Sequence, residues 1–223
     1  MAIQDGADFA NPPIPLFSFE GLPGSGKTTQ AAEVARRLSD VAGDSVFIDL
    51  PTDSPVGLVL KALYSDVDAW TKLSQRVPWF NPVMVTADLR LAVREAQQRG
   101  ARFALMSRGI LSTIYYNVSS YGGAQDSAMA SIISHIRGFF RPTRVFFLNL
   151  PPEVAHQRVV ARNRGPLRAM DKIPAMEKDR EKLLSYLDFL SLPVAIIDAN
   201  APVNVVTDRI MQELDVPSLK STS

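Results

Sequence analysis

The feature that most constrains this chain is a glycine-rich loop between an apolar run and a helical pattern. Residues 21–28 match G-x-x-x-x-G-K-[ST], the phosphate-binding loop of nucleoside-triphosphate enzymes. Residues 16–19 before the loop predict a buried strand, and apolar side chains recur at helical spacing over residues 31–38. This context distinguishes a triphosphate site from a glycine-rich turn that binds nothing, so we expect a triphosphate-binding α/β protein.

Each residue type in the loop has a chemical reason. Gly24 and Gly26 allow backbone N–H groups to approach phosphate oxygens without a Cβ in the way. Lys27 supplies a positive charge for the β- and γ-phosphates, and the Thr28 hydroxyl can ligate Mg²⁺. The predicted ATP-binding residues are Gly21, Leu22, Pro23, Gly24, Ser25, Gly26, Lys27, Thr28 and Thr29.

Composition excludes several kinds of site and partner. The 223 residues include no cysteine, which excludes disulfides, thiolate metal sites and a cysteine nucleophile. The net charge is +1 without a basic block, so we expect no nucleic-acid partner. No apolar run approaches the length of a membrane span, and residues 1–15 lack the regions of a signal peptide. We expect a cytoplasmic protein without a membrane partner.

The chain is predicted to form one domain. Short apolar runs alternate with helical patterns, which is typical of a parallel sheet covered on both faces. We therefore expect an α/β fold with three layers (α/β/α) and a five-stranded parallel sheet. The domain should cover residues 16–216, after a flexible lead-in at residues 1–15 and before a C-terminal tail at residues 217–223.

Helix boundaries are predicted from caps and breakers. Asn81, followed by a proline, predicts the N-cap of a helix that stops at Gly100. Pro152 predicts the first position of a later helix, and residues 129–140 carry another helical pattern. Residues 65–80 fit either a helix and turn or the lining of a pocket.

Polar residues follow three of the predicted strands. Ligands of open parallel sheets gather at the carboxyl ends of the strands, where this chain has Glu20, Asp49 and Arg108. Glu20 and Asp49 could orient magnesium-bound water or act as a base, and the alternative is a capping or turn carboxylate. A charge on Arg108 at the end of a buried strand needs a partner, either an acceptor phosphate or a salt bridge.

Four arginines surround a glycine–proline breaker after the fourth strand. They are Arg158, Arg162, Arg164 and Arg168. Such a run is often a solvated helix face, but an arginine that approaches a transferring phosphoryl group contributes strongly to rate. The phosphate loop has no arginine of its own, so we expect a short mobile lid over about residues 162–172.

Aromatic side chains offer a stacking surface for a base. The candidates are Trp79, Phe80, Tyr115, Tyr116 and Tyr121, although core packing is the usual role of aromatics at helical spacing. Tyr116 is one helical turn after Ser112 and is the best placed of the set. Arg90 could hydrogen-bond a base, or could lie on the helix surface.

The chain resembles the thymidylate kinase family of P-loop nucleoside-monophosphate kinases. Five features carry the likeness, in a consistent order over residues 16–214. They are the phosphate loop, residues 51–57, the spacing of Arg108, Ser112, Tyr116 and Asn117, the run 148–154 with the lid arginines, and Tyr186. The resemblance implies ATP, Mg²⁺, γ-phosphoryl transfer to a nucleoside monophosphate, and a homodimer.

The residue patterns and the resemblance together predict roles for individual residues. The predicted catalytic residues are Lys27, Arg108, Arg162, Arg164, Arg168 and Asp49. The predicted acceptor-binding residues are Asp49, Pro51, Arg90, Arg108, Ser112, Tyr116 and Asn117. The metal ligands would be Thr28 and Glu20.

The chain departs from the family pattern in four respects. The family has an acid where this loop has Pro23, and an Asp and an aromatic residue where this chain has Ser107 and Gly109. It has an Arg-Glu or equivalent pair before the acceptor-loop proline, where this chain has Asp49 and Leu50. Its base-reading Phe and Arg have no clean match, because Val85 and Leu89 fall at their positions and Arg90 is one place off. The loss of two acids predicts a different acceptor, a rearranged magnesium shell or weakened activity.

Three functions follow from these observations. The leading one is ATP- and Mg²⁺-dependent phosphoryl transfer to a nucleoside monophosphate other than plain dTMP. A second is a kinase of a nucleoside or another small hydroxyl compound, for which Asp49 or Glu20 would act as the base. A third is a nucleotide-binding protein that does not transfer phosphate.

Overall fold

Five short strands form the centre of the computed structural model, which describes residues 13–77, 79–118, 141–163 and 165–214. The strands are β1 (Leu16–Glu20), β2 (Ser45–Asp49), β3 (Phe103–Ser107), β4 (Arg144–Asn149) and β5 (Val194–Asp198). All paired strands run parallel, in the order β2–β3–β1–β4–β5. This confirms the predicted five-stranded parallel sheet.

Helices connect the strands and cover the sheet. In the described residues they are α1 (Lys27–Ala42), α2 (Pro55–Ser65), α3 (Val67–Arg76), α4 (Phe80–Gln98), α5 (Ile110–Val118), α6 (Pro152–Arg162), α7 (Ile173–Leu190) and α8 (Val203–Glu213). A 3₁₀ turn (Ala169–Asp171) precedes α7. The predicted pattern at residues 129–140 lies outside the described residues.

The predicted N-cap of α4 is wrong. The helix begins at Phe80, and its N-cap is Trp79. The Asn81 side-chain oxygen accepts a hydrogen bond from the Tyr64 hydroxyl instead, so it does not cap the backbone. Within residues 65–80, which fitted either a helix and turn or the lining of a pocket, Val67–Arg76 form α3 and Phe80 begins α4.

Alternate residues of the strands face two separate cores. Phe17, Phe19 and Leu105 pack with Val34 and other residues of α1. Leu16, Ile48, Ala104 and Met106 pack with Leu89, Val93 and Ala96 of α4 on the other side. The two clusters place helices on both faces and confirm the three-layer α/β/α architecture.

The register of the strands brings their carboxyl ends to one edge. Ser107 of β3 pairs with Phe19 of β1 and with Asp49 of β2, and Glu20 pairs with Phe147 of β4. This is the edge at which open α/β sheets bind ligands. Among the described residues, no helix has both the length and the apolar character needed to span a bilayer.

Candidate active site

The phosphate loop connects β1 to the first turn of α1. The Lys27 ammonium folds back over the loop, where Nζ donates to the carbonyl oxygens of Gly21 at 2.9 Å and Leu22 at 2.6 Å. Ser25 N also donates to Leu22 O at 3.1 Å, which closes the turn. The loop is therefore held by its own residues as a compact cradle around Lys27.

Two glycines of the loop have backbone conformations that side chains disfavour. Gly24 has φ +85°, and a Cβ there would clash with the carbonyl oxygen of Ala155 in α6. Gly26 has φ +94° and open space where a Cβ would lie. Gly24 is thus required for close packing of the loop on α6, and Gly26 for the turn into α1.

A cavity that we call the α8 pocket lies between the phosphate loop and the start of α8. Its volume is about 500 Å³. Gln30 joins α1 to α8 at this pocket, because its side chain donates to Val203 O at 3.0 Å and accepts from the Thr207 hydroxyl at 2.8 Å. The lining includes Gly24, Thr29, Gln30, Arg158, Arg162, Ala199, Pro202 and Val203.

A second cavity, the lid cavity, lies beside the first, between the phosphate loop, the end of β3 and residues 165–171. Its volume is about 350 Å³. The two cavities share Gly24, Gly26 and Arg162. The polar side chains lining the lid cavity are those of Lys27, Thr28, Ser107, Arg108, Arg162, Arg168 and Asp171. This cluster of cations suits a polyphosphate.

Burial lowers the pKa of Lys27 well below its ordinary value of 10.5. The nearby positive charges of Arg108 and Arg162 lower this pKa further, whereas Glu20 opposes the shift. A negatively charged phosphate in the lid cavity would favour the protonated form. An anion bound at this position would therefore stabilise the positive charge of Lys27.

Arg108 follows β3 in an unusual backbone conformation. Its φ is +69°, and its N–H donates to Phe19 O at 3.0 Å, which fixes the turn. Its side chain is exposed and lines the lid cavity. That its charge meets an acceptor phosphate or a salt bridge stays a prediction. A strained non-glycine residue at a cavity is typical of functional sites.

Glu20 is fully buried at the end of β1. Its Oε1 accepts from Gly109 N at 2.7 Å and Ser112 N at 3.3 Å, and its Oε2 accepts from the Ser112 hydroxyl. These bonds engage both oxygens, so they favour the capping role over the predicted role as a metal ligand. Ser112 takes part in the same cap, and its contact with an acceptor stays a prediction.

Thr28 lies in the first turn of α1 with its side chain exposed to the lid cavity. Its Oγ1 is 3.1 Å from Ser107 Oγ. Mg²⁺ in phosphate sites keeps several waters and binds few protein oxygens besides the substrate phosphates. A single hydroxyl beside a polyphosphate cavity fits that requirement. The described residues contain no cluster of three or more metal-ligating side chains.

The lid segment is tied to the domain through Asp171. Arg168 forms two hydrogen bonds with this buried carboxylate, at 3.0 and 3.1 Å, and they lower the pKa of Asp171 below its ordinary value. His156 Nδ1 lies 2.6 Å from Asp171 O. Arg162 lines both cavities from the end of α6, and Arg164 lies outside the described residues.

The loop after β2 is fastened to α4 by a buried carboxylate. Asp88 accepts from Thr52 N at 2.8 Å, the Thr52 hydroxyl at 2.5 Å and the Ser54 hydroxyl at 2.5 Å. Ser54 Oγ in turn accepts from Gly57 N and caps α2. This network holds the predicted acceptor loop, including Pro51, at the edge of the sheet.

The other predicted acceptor residues have separate positions. Asp49 is exposed at the end of β2, and Arg90 is half-buried on α4. Tyr116 and Asn117 belong to α5, but their side chains lie outside the described residues, as does Tyr121. Tyr115 is buried with its hydroxyl donating to Asp179, so it is a core residue.

Sequence reasoning missed three parts of the site. The segment after β5, including Ala199 and Pro202, lines the α8 pocket. Its position at a strand end was the available signal. Asp88 is a buried carboxylate on the helix predicted to start at Asn81, and Asp171 is a buried carboxylate within the predicted lid. No local signal identifies the partners of Asp88, which lie more than 30 residues away.

Comparison with known proteins agrees with this geometry. The family model described as thymidylate kinase matches residues 19–210. A thymidylate kinase of Caulobacter vibrioides is 30% identical over 201 residues, which cover 87% of this chain and 93% of that protein. A thymidylate kinase of Dinoroseobacter shibae is 27% identical over 209 residues, covering 90% and 96%. A probable thymidylate kinase of Natronomonas pharaonis is 29% identical over 174 residues, covering 76% and 83%.

Proposed function

This chain belongs to the thymidylate kinase family, and from that premise we propose that it phosphorylates a nucleoside monophosphate other than dTMP. Membership makes it an ATP-dependent nucleotide kinase that uses ATP with Mg²⁺. The observation that carries the proposal is the lid cavity, where Lys27, Thr28, Arg108 and Arg162 meet beside the phosphate loop.

Different parts of the ATP molecule are assigned to different parts of the site. We assign the triphosphate of ATP to the phosphate loop and its adenosine to the α8 pocket, whose walls include Ala199, Pro202 and Val203. The N-terminal turn of α1 adds backbone N–H groups and the positive end of its dipole. The γ-phosphate then lies at the boundary between the pockets, next to Arg162.

The reaction transfers the γ-phosphoryl group from the β-phosphate of ATP to a phosphate oxygen of the acceptor. The acceptor phosphate is already ionised near pH 7, since its second pKa is about 6, so no protein base has to remove a proton. Arg108 holds this anion from the end of β3, and Arg162 stabilises the charge on the transferring group. Thr28 would hold Mg²⁺, which would supply positive charge that offsets the negative charge of the phosphates.

Of the two lid arginines Arg162 and Arg168, which the structure describes, Arg162 is the better placed for this role. It lines both cavities, whereas the guanidinium of Arg168 is engaged by the buried carboxylate of Asp171. Moving Arg168 onto a phosphate would leave that carboxylate without these bonds, which is costly. We therefore assign catalysis to Arg162 and lid anchoring to Arg168.

The acceptor base is the part of the reaction in which this chain departs from its family. The family's base-reading arginine has no clean match here: Leu89 falls at its position, 3% exposed within the core between β1, β3 and α4, and Arg90 is one place off. An aliphatic side chain in a packed core has no hydrogen bond to offer a base. This supports an acceptor with a base other than thymine.

We also propose that the protein is a homodimer, as the family resemblance implies. Helix α2 supports this, because Leu58, Val59 and Tyr64 are exposed apolar or aromatic side chains on it. Light scattering coupled to size-exclusion chromatography tests the proposal, and a monomer mass at micromolar concentration would contradict it.

A panel of acceptors tests the proposed activity. The purified protein is incubated with ATP, Mg²⁺ and each nucleoside monophosphate or nucleoside, and ADP release is followed. We expect the fastest turnover with a monophosphate other than dTMP, and little change in Asp49→Asn. Loss of turnover in Asp49→Asn with a nucleoside acceptor would favour the hydroxyl kinase, and absence of turnover with any acceptor would contradict both.

A further inference from the structure

The hydroxyl groups of Thr28 and Ser107 form a pair that joins α1 to the end of β3. Thr28 Oγ1 and Ser107 Oγ lie 3.1 Å apart, although the residues are separated by 79 positions in the chain. Ser107 is 6% exposed, so the surrounding fold fixes its side chain. Both residues line the lid cavity.

A hydroxyl that binds a metal ion must point its hydrogen away from the metal. The oxygen donates a lone pair to the cation, and the hydrogen needs an acceptor on the far side. The Thr28 hydroxyl has Ser107 Oγ within hydrogen-bond distance. Ser107 can accept that hydrogen and still donate its own to a phosphate oxygen or a metal-bound water.

We propose that Ser107 is a positioning residue for Mg²⁺, which accepts the hydrogen of the Thr28 hydroxyl and turns its lone pair toward the metal. The inference rests on the proposed function, since it assumes a Mg²⁺–nucleotide complex in the lid cavity. Ser107 acts through Thr28. A group that orients a metal ligand in this way commonly affects metal affinity tenfold or more.

The charges around the pair make this hydrogen bond important. Of the described residues that line the lid cavity, Asp171 is the one acid, and Arg168 engages its carboxylate. Glu20 is buried and occupied by the start of α5. Among the described residues that line the lid cavity, the uncharged groups available to the metal are therefore the hydroxyls of Thr28 and Ser107. The orientation of a hydroxyl matters more than that of a carboxylate with two equivalent oxygens.

The test measures how much Mg²⁺ tightens nucleotide binding. Dissociation constants of a non-hydrolysable ATP analogue are determined by titration calorimetry in Mg²⁺ and in EDTA, for the wild type, Ser107→Ala, Ser107→Thr and Ser107→Asp. We expect Ser107→Ala to reduce the Mg²⁺-dependent gain in affinity by about tenfold and to leave binding in EDTA unchanged. Ser107→Thr, which keeps the hydroxyl, should restore the gain.

The Ser107→Asp variant provides an independent direction of change. A carboxylate is a stronger acceptor and adds a negative charge beside the metal, so we expect a larger Mg²⁺-dependent gain than in the wild type. Ser185→Ala is the matched control, because Ser185 is an exposed residue of α7 that bonds only to its own helix at Lys182 O. It should behave as the wild type.

Three results would overturn the inference. An unchanged Mg²⁺-dependent gain in Ser107→Ala would show that Ser107 does not position the metal ligand. An equal loss of affinity in Mg²⁺ and in EDTA would show a purely structural role. Failure of the wild type to bind the analogue in either condition would overturn the proposed function, and this inference with it.

Discussion

The donor side and the acceptor side of this site are built from contacts of different range. On the donor side, Lys27 bonds to carbonyl groups five and six residues earlier in the chain. On the acceptor side, Asp88 bonds to Thr52 and Ser54, which lie 36 and 34 residues away. The first arrangement is a property of the local sequence, whereas the second requires α4 to dock beside the loop after β2.

The phosphate loop keeps the G-x-x-x-x-G-K-[ST] pattern, although it has Pro23 where the family has an acid, and the acceptor side departs from the family at more positions. The phosphate loop must satisfy the same triphosphate geometry for any acceptor, so its residue types are constrained. The base-binding side is constrained only by the base it reads. Leu89, which follows Asp88 on α4, is buried in the core, and the Asp88 network is in place beside it. Our proposal of a different acceptor with the family's donor chemistry depends on this separation of the two sides.

The largest effect is expected from Lys27→Ala. This change removes the buried ammonium that faces the phosphates, so we expect kcat/KM to fall by about 10³-fold. The matched control is Lys182→Ala, since Lys182 is exposed on α7 and should leave the rate unchanged. Steady-state kinetics with saturating acceptor measures both variants. A loss of less than tenfold for Lys27→Ala would contradict the assigned donor site.

The two lid arginines are expected to differ next. Arg162→Ala should lower kcat by about 10²-fold or more, because it removes the positive charge that stabilises the transferring phosphoryl group. Arg168→Ala should lower the melting temperature and affect kcat less, because it removes the partner of the buried Asp171. Equal losses of kcat in the two variants, with unchanged melting temperatures, would reverse the assignment.

Breaking the acceptor-side network should produce a smaller and more selective effect. Asp88→Asn replaces an acceptor of three hydrogen bonds, so the loop after β2 loosens, and we expect KM for the acceptor to rise about tenfold. KM for ATP should not change. Asp53→Asn is the control in the same loop, because its side chain is 92% exposed and pairs only with Lys61 at the surface. A parallel rise in KM for ATP would argue against separate donor and acceptor sides.

The smallest effect is the pH dependence of ATP affinity. Burial holds the pKa of Lys27 in the folded protein below 10.5, its value in the unfolded chain. At a pH between these two pKa values the unfolded chain binds more protons than the folded protein. The contribution of Lys27 to the free energy of unfolding therefore grows as the pH rises through this window. ATP favours the charged form, so binding takes up a proton, and affinity should fall a few-fold as pH rises through that window. Titration above about pH 7.5, where the phosphates are ionised, measures this. A slope that persists in Lys27→Met would show that another group is responsible.

The fold was largely predictable from the sequence because its signals are local. The apolar runs predicted the strands, and glycines with proline breakers predicted most helix boundaries. The order of the strands in the sheet was not predictable, because periodicity carries no information on which strands pair. The N-cap at Asn81 was wrong because a tertiary partner, Tyr64, engages that side chain.

The site was predictable to the extent that it follows from strand ends and the loop motif. Three separate signals point to residues that line the lid cavity: the loop motif to Lys27 and Thr28, the strand end to Arg108, and the predicted lid to Arg162. Glu20 lies at the expected edge, but both of its carboxylate oxygens accept hydrogen bonds from Gly109 and Ser112 at the start of α5. That outcome depends on where a helix 89 residues later in the chain begins, which no local pattern specifies.

The most direct test of the central account is the identity of the phosphorylated product. Phosphorus NMR of the reaction with ATP, Mg²⁺ and the best acceptor monophosphate distinguishes the possible products by their chemical shifts and couplings. We predict the paired resonances of a new nucleoside diphosphate appearing with those of ADP, at a higher rate than with dTMP. A phosphate monoester formed from a nucleoside, a faster reaction with dTMP, or release of inorganic phosphate alone would contradict the account.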